Sequence, residues 1–154
     1  MAALKLVPAV LLFVLSAPAA AHCGTLDLAP LWHTEIATAS ARTGIPAAWI
    51  ERVMRAESCG RTRLNDQPIV SHAGAMGLMQ LMPGTWSQIR SELGLGPDPH
   101  DPGDNILAGA AYLRQMYDRI GYPGLFAAYN AGPARYAAHL ATGKPLPGET
   151  RTYL

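Results

Sequence analysis

Apolar residues recur along this chain mostly at spacings of three and four, and no stretch alternates apolar and polar for more than a few positions. That period predicts helices and few strands. Leu31, Ile36 and Ala39 mark a first helix over Leu28 to Thr43, with Gly44 as its stop. Pro46 is expected at the first position of a second helix. Its apolar stripe, Trp49 or Ile50 with Val53 and Met54, continues to Glu57 before Gly60 ends it. Residues 61–75, with Asn65, Asp66, Pro68, Ser71 and Gly74, read as a loop. Gly77 to Met82 is expected as a short helix before Pro83, and Thr85 to Leu93 as the next one. The segment GLGPDPHDPGD is turn chemistry, and Asp104 at its end is expected to cap the helix that follows. There Ile106, Ala110, Leu113, Tyr117 and Ile120 fall at spacings of four, three, four and three, and Gly121 stops the pattern. Shorter helices are expected around Leu125–Tyr129 and Ala134–Thr142. The reading is an all-α single domain of short helices with irregular loops and little or no β-sheet.

The first 21 residues break this pattern. One charge, Lys5, precedes an apolar run from Leu6 to Leu15, and Ala19-Ala20-Ala21 follows. This is the layout of a secretory signal peptide, expected over 1–21 and leaving a domain over 22–154. Pro8 and Pro18 interrupt a run too short for a spanning helix, so no stable membrane insertion is expected after cleavage. The protein is then periplasmic or secreted. In an oxidising compartment its two cysteines, Cys23 and Cys59, suggest a disulfide; two free thiols remain the alternative. The 154 residues carry 12 Lys+Arg against 11 Asp+Glu, and removal of Lys5 leaves the mature chain formally neutral. Such a balance argues against a nucleic-acid partner.

Three places can carry chemistry. Glu57 shares a helix face with Ile50, Val53 and Met54 and lies in the last turn. Burial and the negative end of the helix dipole both disfavour its ionised form, which suits a general acid. The alternative is a structural glutamate paired with Arg55 or Arg61. The second place is Gly74 to Trp86, where Gln80 is the polar side chain in an apolar run. It either braces a loop or presents its amide to a ligand. The third is Ala127 to Pro133, where Tyr129 and Asn130 suit stacking on and bonding to a sugar, although a core tyrosine at a helix end has the same pattern.

ESCG from Glu57, SHAGAMGLMQLMPGTW from Ser71, DNILAGAAYL from Asp104, AAYNAGP from Ala127 and the terminal ETRTYL occur in an order and spacing that resemble the soluble lytic transglycosylases of bacterial cell walls. The resemblance runs from about Ile45 to the C-terminus. It implies a lysozyme-like fold, peptidoglycan glycan strands as substrate, and a kinship with short exported members that accompany conjugation and type IV secretion systems, hence envelope-spanning secretion components as partners. Residue by residue, it implies Glu57 as the catalytic acid/base. Ser71, Gln80, Tyr129, Asn130, Glu149 and Tyr153 are implied in substrate binding, Tyr129 near Glu57. Cys59 stands where small residues are common, and the stretch from Glu57 to Ser71 looks longer than in many members.

The implied reaction cleaves the β-1,4 bond between N-acetylmuramic acid and N-acetylglucosamine without water and leaves a 1,6-anhydromuramic end. One carboxyl serves both halves, where most glycosidases need two. The alternatives are a hydrolytic muramidase, with Asp66 as the nearest second carboxylate in sequence, or a non-catalytic wall-binding assembly component. Asp98, Asp101 and Asp104 lack the alternate spacing of a calcium loop. No Cys/His cluster supports zinc, and no cofactor is implied.

Overall fold

The structure, a computed structural model, describes Cys23 and residues 29–151. The expected leader 1–21 and Tyr153 lie outside the described residues. In chain order come α1 (Ala29–Thr43), α2 (Ala47–Ser58), β1 (Arg63–Leu64), β2 (Gln67–Pro68), α3 (Pro83–Leu93), α4 (Pro102–Ile120), α5 (Gly124–Ala131), α6 (Pro133–Thr142) and α7 (Gly148–Arg151). The all-α reading holds: the sheet is one antiparallel pair of two-residue strands. No helix among the described residues is long and apolar enough to cross a membrane.

Helix α4 is the centre, packed by α1, α2, α3 and α5. Asn105 to Ala110 are all buried, so the stretch that follows its half-buried first turn is enclosed on every side. Further along, Leu113 and Met116 remain buried while Tyr117, expected on the apolar stripe, is exposed. Around α4 lie Ile36 and Ala39 of α1, Ile50, Val53 and Met54 of α2, Ile89 of α3, and Leu125 and Phe126 of α5.

Several local expectations are corrected. Gly77 to Met82 is not a helix. Gly77 and Gln80 both have positive φ, and backbone bonds between Met76 and Leu81 close the segment into a tight turn. Left-handed residues at those positions cannot propagate a right-handed helix. Asp104 is not the cap of α4. Asp101 is, its carboxylate accepting from the Asp104 N–H at 2.9 Å, with Pro102 in the first turn. Pro46 caps α2 from just outside it. Within the expected loop 61–75 a hairpin forms, because Asn65 and Asp66 both adopt positive φ and make a two-residue turn.

One buried amide fixes the 76–81 turn on α4. The Asn105 side chain accepts from the Met79 N–H at 2.8 Å and donates to the carbonyls of Met76 at 3.2 Å and Pro99 at 2.8 Å. Gly77 faces it so closely that a Cβ there would stand 2.8 Å from the Pro99 carbonyl, in addition to crowding the amide itself. Gly109, one turn along α4, leaves room for Met79, whose Cβ would lie 2.5 Å from an added methyl group.

Asn105→Ala strands a buried N–H and two carbonyls, so it is expected to lower the unfolding free energy by about 2–4 kcal/mol, read from denaturant midpoints at unchanged slope.

Candidate functional site

Glu57 sits half-buried in the last turn of α2, and the chain around it is pinned on several sides. Ser58 is buried and donates to the Met54 carbonyl at 3.2 Å while accepting from the Gly60 N–H at 3.1 Å. Cys59 ends the helix in a left-handed conformation, its N–H returning to the Arg55 carbonyl. It is disulfide-bonded to Cys23, with the two Cα atoms 5.4 Å apart. From α1, the Trp32 indole donates to the Gly60 carbonyl at 3.0 Å. The carboxyl is thus carried by a pinned helix end, at the negative pole of the helix dipole, which disfavours negative charge.

Tyr129 of α5 faces the same region. Its hydroxyl is buried and donates to the Met79 carbonyl at 2.7 Å, which ties α5 to the turn that Asn105 holds. Burial pushes its phenol well above the ordinary tyrosine range, and the negative charge of Glu57 and then Tyr112 push it further. The Glu57 charge therefore reaches Tyr129, and the two implied site residues come together. Tyr112 of α4 packs its ring 5.2 Å from that of Tyr129. Its own phenol is also raised by burial, less the opposing effect of the Arg119 charge.

The other implied residues divide. Gln80 is half-buried with φ of 49°, and its amide donates to the Gly77 carbonyl at 2.8 Å, so it braces the turn. Ser71 closes the preceding turn, its hydroxyl accepting from the Ala75 N–H at 3.0 Å. The Asn130 side chain accepts from the Thr150 hydroxyl at 2.7 Å, which fastens α7 to α5. Glu149, next to Thr150 on α7, is exposed. Asp66 stands exposed at the tip of the hairpin. The three aspartates of the α3–α4 connection cap backbone instead of converging on an ion: Asp98 accepts from His100 N–H, Asp101 from Asp104 N–H and Asp104 from Gly96 N–H. Among the described residues no cluster of three potential metal-ligating side chains occurs.

Tyr112 and Asn105 were not singled out from the sequence. Both lie in DNILAGAAYL. A buried asparagine and a half-buried tyrosine just off the α4 apolar stripe were the available signals.

A phenol raised in the folded state keeps its stabilising effect below the unfolded tyrosine value of 10.0 and loses it as pH climbs from there toward the folded value. Stability is therefore expected to fall above about pH 10, by up to about 1.4 kcal/mol per pH unit for each such tyrosine. Tyr129→Phe should make that alkaline slope shallower, read from denaturant unfolding at a series of pH values.

The profile of the Transglycosylase SLT domain family matches residues 35–148. A transglycosylase of Enterobacteria phage PRD1 is 40% identical over 90 residues, covering 58% of this chain and 30% of the phage protein. The soluble lytic murein transglycosylase of Salmonella typhimurium is 34% identical over 115 residues, covering 69% of this chain and 17% of that protein. An inactive mutant of the lytic transglycosylase Slt from Pseudomonas aeruginosa shares the fold with a TM-score of 0.67 at 31% identity, over 79% of this chain and 22% of that one. A 70-kDa soluble lytic transglycosylase solved with bulgecin A gives a TM-score of 0.69 at 27% identity, over 82% of this chain and 22% of that one. The chain thus spans less than a third of the length of each of these proteins. Through a profile that runs from α1 to the start of α7, on a fold shared with two solved transglycosylases, the chain belongs to the Transglycosylase SLT domain family.

Proposed function

We propose that this domain is a peptidoglycan lytic transglycosylase with Glu57 as its acid and base. The observation that supports it most is the pairing of one half-buried carboxyl, at the carbonyl end of a pinned helix, with a buried neutral phenol that its charge reaches. Protonated Glu57 gives its proton to the oxygen leaving C1 of N-acetylmuramic acid, and the C1–O bond to N-acetylglucosamine breaks. The substrate's own N-acetyl group stabilises the positive C1. Glu57, now ionised, takes the proton of the C6 hydroxyl, and that oxygen bonds to C1. No water enters, and the muramic sugar leaves as a 1,6-anhydro ring. Attack from within the same sugar has the proximity advantage of an intramolecular reaction.

Tyr129 has a positioning role here. Its raised phenol stays neutral and its O–H is committed to the Met79 carbonyl, so it does not compete with Glu57 as a base. The family resemblance implies Ser71, Gln80, Asn130, Glu149 and Tyr153 in glycan binding. Hydrolysis requires a second carboxylate beside the bond to activate water. Asp66, the sequence candidate, is an exposed hairpin-tip residue without the enclosure that role needs. Export by the leader 1–21 to the periplasm or medium, and local wall opening for a secretion or conjugation apparatus, complete the proposal.

A Glu-to-Gln exchange is the direct test, since glutamine keeps the shape and has no proton to give. Glu57→Gln is expected to slow release of soluble products from purified peptidoglycan by about 100-fold to 10,000-fold at unchanged stability. Mass spectrometry of wild-type products should show ends lighter by one water; hydrated reducing ends would instead identify a hydrolase.

A further inference from the structure

Cys23 and Trp32 both reach the end of the helix that carries Glu57, and they take hold of adjacent residues. Cys23 is bonded through sulfur to Cys59, while the Trp32 indole, at the kink of α1, donates to the Gly60 carbonyl at 3.0 Å. The Cys23 sulfur also lies 3.2 Å from the Arg55 carbonyl, which accepts the Cys59 N–H at 3.2 Å. The bridge therefore presses on the last turn of α2 as well as on the residue that ends it. That residue has a φ of 54°, and Gly60 follows with 69°. Glycine takes such a conformation at no steric cost, whereas a cysteine crowds its Cβ against the backbone. From there the chain reverses, the Gly60 N–H returning to the Ser58 hydroxyl and the Arg61 N–H to the Ser58 carbonyl, each at 3.1 Å. A cysteine placed at this reversal needs an outside constraint, and the covalent bond to Cys23 supplies one. Glu57 stands two residues before it in the last helical turn, so the place where the helix stops sets the direction of the carboxyl.

We propose that the Cys23–Cys59 bridge is a positioning device for Glu57: it holds Cys59 left-handed, and opening it by a dithiol reversibly slows the chemical step while the fold persists. The inference rests on the reading of Glu57 given above. Cys23 is half-buried and Cys59 buried, so the Cys23 sulfur is the one open to attack. One thiolate of the dithiol bonds to it, and Cys59 leaves as a thiolate and takes up a proton. The second thiol then displaces Cys23, which leaves two protein thiols and the dithiol oxidised to its cyclic disulfide.

The test measures kcat and KM on purified peptidoglycan strands for the oxidised chain, the chain reduced with dithiothreitol, and the variants Cys23→Ser/Cys59→Ser and Cys23→Ser/Cys59→Gly. Every form is assayed in trimethylamine N-oxide, which favours the folded state, and its far-ultraviolet circular dichroism is read in the same buffer. Reduction is expected to lower kcat about 10-fold to 100-fold with KM changed by less than about twofold, as misplacement of one catalytic group does. Reoxidation should restore it. The double-serine variant should match the reduced chain, and the glycine variant should recover part of kcat, because glycine adopts the left-handed turn unaided. An unchanged kcat on reduction overturns the proposal, as do equal kcat values in the two variants. A loss that follows the loss of helical signal, or that falls on KM, overturns it too, since the bridge then serves the fold or binding alone. Glu57→Gln in the oxidised state reports on the catalytic reading by itself. Lost cleavage there beside a dithiol-insensitive wild type overturns the bridge and leaves Glu57 standing, whereas retained cleavage overturns the reading of Glu57.

Discussion

The attachment of the 76–81 turn to α4 is the constraint on which the rest of the site depends. Asn105 holds it from below and the Tyr129 hydroxyl from the side, through bonds to the two backbone ends of Met79. The turn's own backbone is forced into left-handed conformations at Gly77 and Gln80, which a free peptide would not hold. A buried amide with all its partners satisfied can impose that shape, and one with a missing partner cannot, because the stranded groups are far from water. Since Tyr129 bonds to the same residue, the turn also sets where α5 lies. The phenol next to Glu57 is placed indirectly by an asparagine on the central helix.

The acid end of the site is built by a different means. At the C-terminal end of α2 a left-handed Cys59, a disulfide and the hydroxyl of buried Ser58, bonded to the Met54 carbonyl and the Gly60 N–H, stop the helix one residue after Glu57. The carboxyl is held in the last turn of the helix, and its charge reaches the buried phenol of Tyr129. The carbonyl end of a helix dipole favours the protonated form of a carboxyl placed there.

Much of this was legible in the sequence, for identifiable reasons. Helices α2 and α4 have apolar residues repeating at helical spacing, and glycine follows each of them closely, so position and extent could both be read. The run Leu78, Met79, Leu81 was too short to distinguish a turn from a helix, and Gln80 is a residue type rarely left-handed. The hairpin did carry a signal: Asn65 and Asp66 are the side chains that tolerate positive φ, side by side. Asp101 and Asp104 both had the chemistry of a cap, and only the placing of Pro102 in the first turn separates them. The meeting of Glu57 with Tyr129 was not legible from pattern at all, because it depends on α2 and α5 approaching through the turn between them. Family resemblance supplied it where spacing could not. The bonds of Asn105 reach back 26 and 29 residues to the turn, beyond what any local rule sees.

All three bonds of the Asn105 amide end on main-chain atoms, at Met79, Met76 and Pro99. The anchor is therefore blind to the side chains it holds. Provided Gly77 stays bare, the outward residues of this wall are free to diverge, so relatives could reshape what they grasp without rebuilding the hinge that presents it. Tailoring by design would follow the same route, exchanging exposed Met82 or Val70 while leaving the polar rivet untouched.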